Sequence, residues 1–218
     1  MATIPVVRNV VAEDAIGWEA VHLFERTAAL VLLVLCLPAM IASALAIWIL
    51  SRRTPLIAHK RVGRGGSALW MLKFRTMWGS RGERGEWRWV DFIADDRGPA
   101  LKGAHDPRVR SGLARFLRRH SIDELPQLWH VVRGDMSLVG PRPLTQREFR
   151  EYYGVYADEV LQVRPGLAGL WQISGRNRLT YEDRRRLDLE YVRGRNLGMY
   201  FGILLRTVPE VFRGQNSW

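Results

Sequence analysis

The sequence predicts an α+β protein, mainly helical, with one N-terminal membrane helix, interfacial amphipathic helices and a small cytosolic core. Three observations carry that expectation. Ala28–Leu50 is an uncharged apolar run, three later stretches have helical period, and only a short stretch between glycine turns reads as a strand.

The apolar run reads AALVLLVLCLPAMIASALAIWIL and holds about 23 residues, enough to cross a hydrocarbon core of roughly 30 Å. A cleaved signal peptide fits poorly. The run is too long, Glu25 lies in its approach, and Arg52 and Arg53 follow where small residues would be needed. Pro38, near the middle, removes one backbone hydrogen bond and clashes with the carbonyl four residues back. Arg52, Arg53, Lys60, Arg61 and Arg64 place the downstream side in the cytoplasm, whereas Arg26 upstream is balanced by Glu25. Two topologies satisfy these constraints. One is a straight span with the N-terminus outside; the other is a helix–break–helix that enters and leaves on the cytoplasmic face.

Beyond Arg53 no stretch is long and clean enough to span. Gly63–Gly66 reads as a turn, Ala68–Phe74 as a strand or buried element, and the charged, glycine-rich Ser80–Gly98 as a mobile surface loop. In Gly112–Arg119, Leu113, Phe116 and Leu117 share a helical face. Leu125, Leu128, Trp129 and Val132 fall at i, i+3, i+4 and i+7, with Gly134 as the stop. Leu197, Tyr200, Phe201, Leu204, Leu205, Val208, Val211 and Phe212 form a last apolar stripe, suited to a membrane interface or to a core.

The formal net charge of +11 points to phosphate-bearing partners: nucleic acid, anionic lipid or a nucleotide-type substrate. A single cysteine, Cys36, excludes an intramolecular disulfide and a multi-cysteine zinc site. A membrane-tethered, arginine-rich adaptor without catalysis is the competing class. The dispersal of the basic residues, and their placement beside acids, speak against it.

The acids in question are Asp123 and Glu124, side by side after Arg118-Arg119-His120. Two helix starts account for them. Ser121 with Glu124 matches a capping box, but would put Pro126 beyond the first turn. A start at Asp123 keeps Pro126 inside that turn and sets the Asp123 carboxylate on the positive end of a helix, where it stays ionised. An ionised carboxylate near cations is what an acyl-phosphate nucleophile requires. Arg142, held between Pro141 and Pro143, has the restricted backbone that suits a bidentate grip on phosphate, although on its own the motif favours an ordinary rigid turn.

Four blocks carry a resemblance: HKRVGRGGSALWMLKFRTM (59–77), DPRVRSGLARFLRRHSIDELPQLWHVVRGDMSLVGPRPL (106–144), RPGLAGLWQISGRN (164–177) and DLEYV (188–192). With the membrane helix they cover nearly everything beyond about residue 22. The chain resembles the bacterial polyprenyl-phosphate sugar-1-phosphate transferases, the monotopic phosphoglycosyl transferases. The resemblance implies transfer of a sugar-1-phosphate from a UDP-sugar donor to undecaprenyl phosphate, with release of UMP, as the first membrane step of exopolysaccharide, capsule or glycoconjugate assembly. Carried over, Asp123 is the nucleophile and Glu124 the Mg²⁺ ligand. Arg118 binds phosphate, Pro141-Arg142-Pro143 shape the nucleotide and phosphate site, and Lys73 and Arg75 are anion contacts.

The resemblance also selects the re-entrant topology. It implies a cytosolic segment 1–22, a re-entrant membrane helix 23–52 broken at Pro38, and a membrane-associated catalytic domain 53–218. The active site then faces the cytoplasm at the bacterial inner membrane. Membrane lipid is a partner, nucleic acid is not, and a homodimer is left open. Four departures from the family stand out. Leu37 precedes Pro38 where a serine is usual, Thr27, Ala28 and Ala29 hold no acid, Thr54–Lys60 lacks the usual Gly-Pro and glutamine, and Tyr200 stands where an acid is common.

Overall fold

The computed structural model describes residues 15–77, 83–84, 90–94, 109, 111–175 and 179–213. Helix α1 runs over Ala15–Ser51 as one element, with Pro38 inside it. The chain is helical on both sides of Pro38. Proline costs one i→i−4 hydrogen bond, but its fixed φ is itself helical, so a long apolar helix can bend there without ending. The helix also starts earlier than residue 23, taking in residues 15–22 of the expected N-terminal segment.

After α1 come strands β1 (Leu56–Val62) and β2 (Ala68–Phe74), joined by the Gly63–Gly66 turn, in which Gly65 and Gly66 take positive φ. Strands β3 (Glu83–Arg84) and β4 (Val90–Ile93) complete a sheet of order β2-β1-β4-β3. β1 pairs antiparallel with β2 and parallel with β4. The two short strands correct the reading of Ser80–Gly98 as loop alone; the rest of that stretch lies outside the described residues. β2 is an edge strand, a position of consequence below.

Helix α2 (Gly112–Arg119) occupies the expected range, and the Ser111 side chain caps it by accepting from the Ala114 N–H at 3.0 Å. A 3₁₀ segment, Ile122–Gln127, leads into α3 (Leu128–Arg133), which stops at Gly134 with φ 82. Then follow β5 (Ser137–Val139), α4 (Gln146–Glu148), α5 (Ala157–Val160), β6 (Gly166–Ala168), α6 (Leu170–Ile173), α7 (Tyr181–Gly194) and α8 (Leu197–Arg213). β5 and β6 form a parallel pair, and Thr145 and Thr180 begin α4 and α7 with capping boxes.

α1 is packed at both ends and bare between them. Val21 packs in a core with Val139, Ala168, Tyr191, Tyr200 and Ile203, and Ala29 packs with Leu128, Val131 and Met136. Further along, Ile47, flanked by Met40 and Ala44, packs on Phe74 and Leu117. Most residues between are exposed; Val34 and Leu35 keep 61% and 70% of their surface.

One acid fastens the first of these contacts. Glu25 is buried and its Oε1 accepts from the Leu138 N–H at 2.8 Å, the Tyr200 hydroxyl at 2.8 Å and the Ser137 hydroxyl; Oε2 lies 3.2 Å from His22 Nδ1. Two of the departures noted from the sequence thus meet in space. An acid does serve this helix, two residues before Thr27, and its partner is Tyr200 itself.

Candidate active site

The turn before the acidic pair is set by Ser121, a non-glycine residue in the left-handed region at φ 55. Its side chain makes no cap, so the capping-box start is not what forms here. The segment begins at Ile122 with a 3₁₀ bond from the Glu124 N–H to the Ser121 carbonyl at 3.0 Å. Tighter 3₁₀ winding carries Pro126 through to the start of α3. Asp123 and Glu124 both lie in its first turn, half-buried.

Glu124 is held by cations from two other parts of the chain. Lys73, on β2, brings Nζ to 2.6 Å from Glu124 Oε1, and Arg142 Nη2 lies 3.9 Å from the same oxygen. Arg118 is in the last turn of α2, immediately upstream of the Ser121 turn, and is half-buried. Lys73, 51 residues from Glu124 in sequence, thus meets the same carboxylate as Arg142, which the linear spacing could not show.

The turn that presents Arg142 is shaped by backbone. Pro141 and Pro143 are buried while Arg142 is not. The Pro141 carbonyl accepts the Gly166 N–H at 2.8 Å and the Leu144 carbonyl accepts the Val62 N–H at 2.9 Å. Gly140 and Gly166 approach so closely that a Cβ on Gly166 would lie 2.0 Å from the Gly140 nitrogen. Only glycine fits there, because no side chain is present to move aside.

Arg75 departs from expectation. It is fully buried; its Nε donates to the Thr54 carbonyl at 2.8 Å, and Nη2 donates to Thr54 Oγ1 at 2.9 Å and to Asp91. This guanidinium, one residue past the end of β2, ties that end to Thr54 and to Asp91 on β4. KFRTM therefore splits: Lys73 faces the acidic pair and Arg75 ties the sheet together.

Behind Arg142 lies a cluster that the sequence reading did not single out. Arg142 lies over the Trp171 ring at 5.9 Å, and Arg184 over the same ring at 4.7 Å. Four residues along α7, Asp188 is 1% exposed and its Oδ2 accepts from the Tyr153 hydroxyl at 2.7 Å. Its Oδ1 is buried and accepts no hydrogen bond from the described residues. The available signal was an acid between Leu187 and Leu189, one helical turn beyond Arg184.

Burial pushes the Asp188 carboxyl up to about 7, against the Tyr153 hydrogen bond and the charges of Arg184 and Arg142, which favour the ionised form. A carboxyl with a raised folded pKa binds more protons folded than unfolded, so its contribution favours folding at acid pH. That contribution is lost as pH rises from the unfolded value of 3.8 through about 7. Asp188→Asn is expected to stay folded and to flatten the pH dependence of thermal unfolding between about pH 4 and 7. An unchanged slope would assign the dependence to other groups.

The donor set also fits a magnesium ion. Mg²⁺ keeps several waters and takes one or two carboxylates plus substrate phosphates, rather than an all-protein cage. Asp123 and Glu124 supply two adjacent carboxylates of that kind. Among the described residues no group of three or more His, Cys, Asp or Glu side chains forms a closed metal cage.

Comparison with known proteins identifies the family. The family model for bacterial sugar transferases matches residues 18–214. The chain is 38% identical over 209 residues to a UDP-galactose-lipid carrier transferase of Erwinia amylovora, covering 89% of this chain and 41% of that protein. It is 36% identical to the exopolysaccharide production protein ExoY of Rhizobium meliloti, covering 93% of this chain and 90% of the relative. A UDP-glucose:undecaprenyl-phosphate glucose-1-phosphate transferase of Caulobacter vibrioides is 36% identical, with 90% of this chain and 71% of the relative covered. The match runs from α1 through α8 and spans the acidic pair, the Arg142 turn and Asp188: the chain belongs to the bacterial sugar transferase family.

Proposed function

We propose that this chain transfers a sugar-1-phosphate from a UDP-sugar to undecaprenyl phosphate and releases UMP, as an early membrane step of exopolysaccharide assembly. The observation that carries this reading is the half-buried Asp123–Glu124 pair, set between Lys73 and Arg142 on a segment that packs against α1. The names of the relatives, with their UDP-sugars and undecaprenyl phosphate, support the substrate classes.

In the proposed sequence an Asp123 carboxylate oxygen attacks the β-phosphorus of the donor. The bond from that phosphorus to the bridging oxygen breaks, and UMP leaves with the electron pair. A phosphate oxygen of the lipid then attacks the same phosphorus, and the Asp123 carboxylate is released. Splitting the transfer in two means that soluble and lipid substrates need not be bound together. Arg142 and Arg118 offset the charge that gathers as a carboxylate approaches a diphosphate. Lys73 orients Glu124. Glu124 would hold Mg²⁺, which would supply further charge to the departing phosphate.

The acceptor phosphate lies at headgroup level, so the site must stay there. We read α1 as re-entrant. Glu25 and Ile47 both pack on the catalytic body, yet the 22 residues between them span about 33 Å if straight. A helix crossing a bilayer would put these contacts on opposite faces. The exposed Phe201, Leu205 and Val208 of α8 continue the apolar surface of α1, where Phe24 and Phe201 meet at 6.0 Å. In a Cys36→Ser background, cysteines placed at Gly17 and at Ser67 are expected to react with an impermeant maleimide from the same side of sealed vesicles. Reaction from opposite sides would mean a true span.

The activity has a direct assay. Purified protein given UDP-hexoses, Mg²⁺ and undecaprenyl phosphate is expected to release UMP continuously with at least one donor, and to stop when the lipid is omitted or EDTA is added. Continuous release without the lipid phosphate, or none with any donor, would overturn the reading.

A further inference from the structure

His130 stands outside the acidic pair but is tied to it through the sheet. It lies on α3, buried, with its ring against the open edge of β2. An edge strand leaves alternate N–H and C=O groups without a neighbour, and each such group, if buried, needs a partner. The Leu72 N–H finds one in His130 Nε2, at 3.1 Å across 58 residues of sequence. That contact makes Nε2 the acceptor and puts the ring proton on Nδ1, which faces Asp135 Oδ2 at 3.5 Å. The same residue closes α3 through its backbone, because the His130 carbonyl accepts the N–H groups of Asp135 at 2.9 Å and Met136 at 3.1 Å.

What this joins is the site. Leu72 immediately precedes Lys73, whose Nζ holds Glu124 at 2.6 Å. Glu124 lies on the 3₁₀ segment that runs directly into α3. Strand, imidazole, helix and ion pair therefore form a closed loop, and the imidazole is its one link that is neither main-chain continuity nor the charge pair itself.

We propose that His130 is the positioning residue for the Lys73–Glu124 pair, its imidazole acting as the acceptor that fixes the edge of β2 to α3. Burial holds the ring below its ordinary range, so it is neutral near pH 7 and Nε2 keeps its lone pair. Without that acceptor the Leu72 N–H is left unsatisfied, the edge strand moves off α3, and Lys73 leaves Glu124. The inference rests on the reading of this site as a sugar-phosphate transferase.

The test uses the full chain in nanodiscs and a readout independent of turnover. The sequence holds only three lysines, Lys60, Lys73 and Lys102, and Lys60 is exposed on β1, so it serves as an internal reference. Acetic anhydride labelling, quantified by peptide mass spectrometry, gives the Lys73-to-Lys60 ratio. His130→Leu is expected to raise that ratio about tenfold, the effect of losing one well-made buried hydrogen bond. His130→Gln, whose amide oxygen reaches the Nε2 position, is expected to keep it within about twofold of the wild type. UMP release should follow, with kcat down about tenfold in His130→Leu, donor KM within about twofold, and kcat restored in His130→Gln. A folded His130→Leu chain with a wild-type ratio overturns the proposal. Should that variant not fold, His130→Gln decides alone: an unchanged ratio supports the positioning role and a raised one overturns it. A wild-type chain that releases no UMP would sink the proposed function while leaving the labelling ratio to decide this inference.

Discussion

Asp123→Asn is expected to lower sugar-phosphate transfer by about four orders of magnitude or more, the size of effect seen when a covalent nucleophile is removed. The substitution is nearly isosteric. The 3₁₀ bond from Glu124 to Ser121 is made by backbone and survives it, as does the Lys73–Glu124 pair. What is lost is an oxygen able to bond to phosphorus and leave again as a carboxylate. Thermal unfolding should therefore stay close to wild type while kcat collapses, and donor binding should change little, because Arg118, Arg142 and Glu124 remain. Activity within tenfold of wild type would rule out Asp123 as the attacking group.

Glu25→Ala should show the largest effect on stability. Its carboxylate accepts from the Leu138 N–H, the Tyr200 hydroxyl and the Ser137 hydroxyl, and lies beside His22, all in buried surroundings. Alanine leaves those donors without an acceptor where water does not reach. Breaking such a network by removing one partner costs about 3–5 kcal/mol. For a chain of this length that corresponds to a fall of roughly 10 °C or more in unfolding temperature. Glu25→Gln keeps one carbonyl oxygen and should fall between the two. The loss should be greater than for truncating an exposed apolar residue of the same helix, such as Leu35→Ala, which lies toward lipid in the re-entrant reading. Equal melting of Glu25→Ala and wild type would show that α1 is held by its apolar contacts alone.

The parts of the fold written in local periodicity were legible. Ala68–Phe74 and Gly112–Arg119 come out over the ranges read from sequence, and Gly134 stops α3, because strand alternation, helical faces and a left-handed cap are decided within a few residues. β1 was missed because His59, Lys60 and Arg61 interrupt its apolar run; its strand character comes from neighbours on both sides, β2 and β4. The Ser121 capping box failed for a reason no spacing rule holds, since the left-handed turn at Ser121 aims its side chain elsewhere.

The site divides in the same way. Asp123, Glu124 and Arg142 stood out by chemistry and local context, whereas the partners that set their geometry lie far off in sequence. Lys73 is 51 residues from Glu124, Leu72 is 58 from His130, and Tyr200 is 175 from Glu25. Glu25 was read as a charge that speaks against a signal peptide and balances Arg26, because the groups that need a buried acceptor appear only when β5 and α8 close over it. Arg75, expected as an anion contact, has Asp91 and Thr54 as partners, and neither was legible from its block.

The covalent step can be watched without any acceptor. Purified wild-type protein incubated with a UDP-sugar and Mg²⁺, quenched and weighed by intact mass spectrometry, should gain the mass of one hexose phosphate on a peptide containing Asp123, and lose it again when undecaprenyl phosphate is added. If donor turns over while the polypeptide never carries that added mass, sugar phosphate passes directly between the two substrates and Asp123 is not the group that bonds to phosphorus.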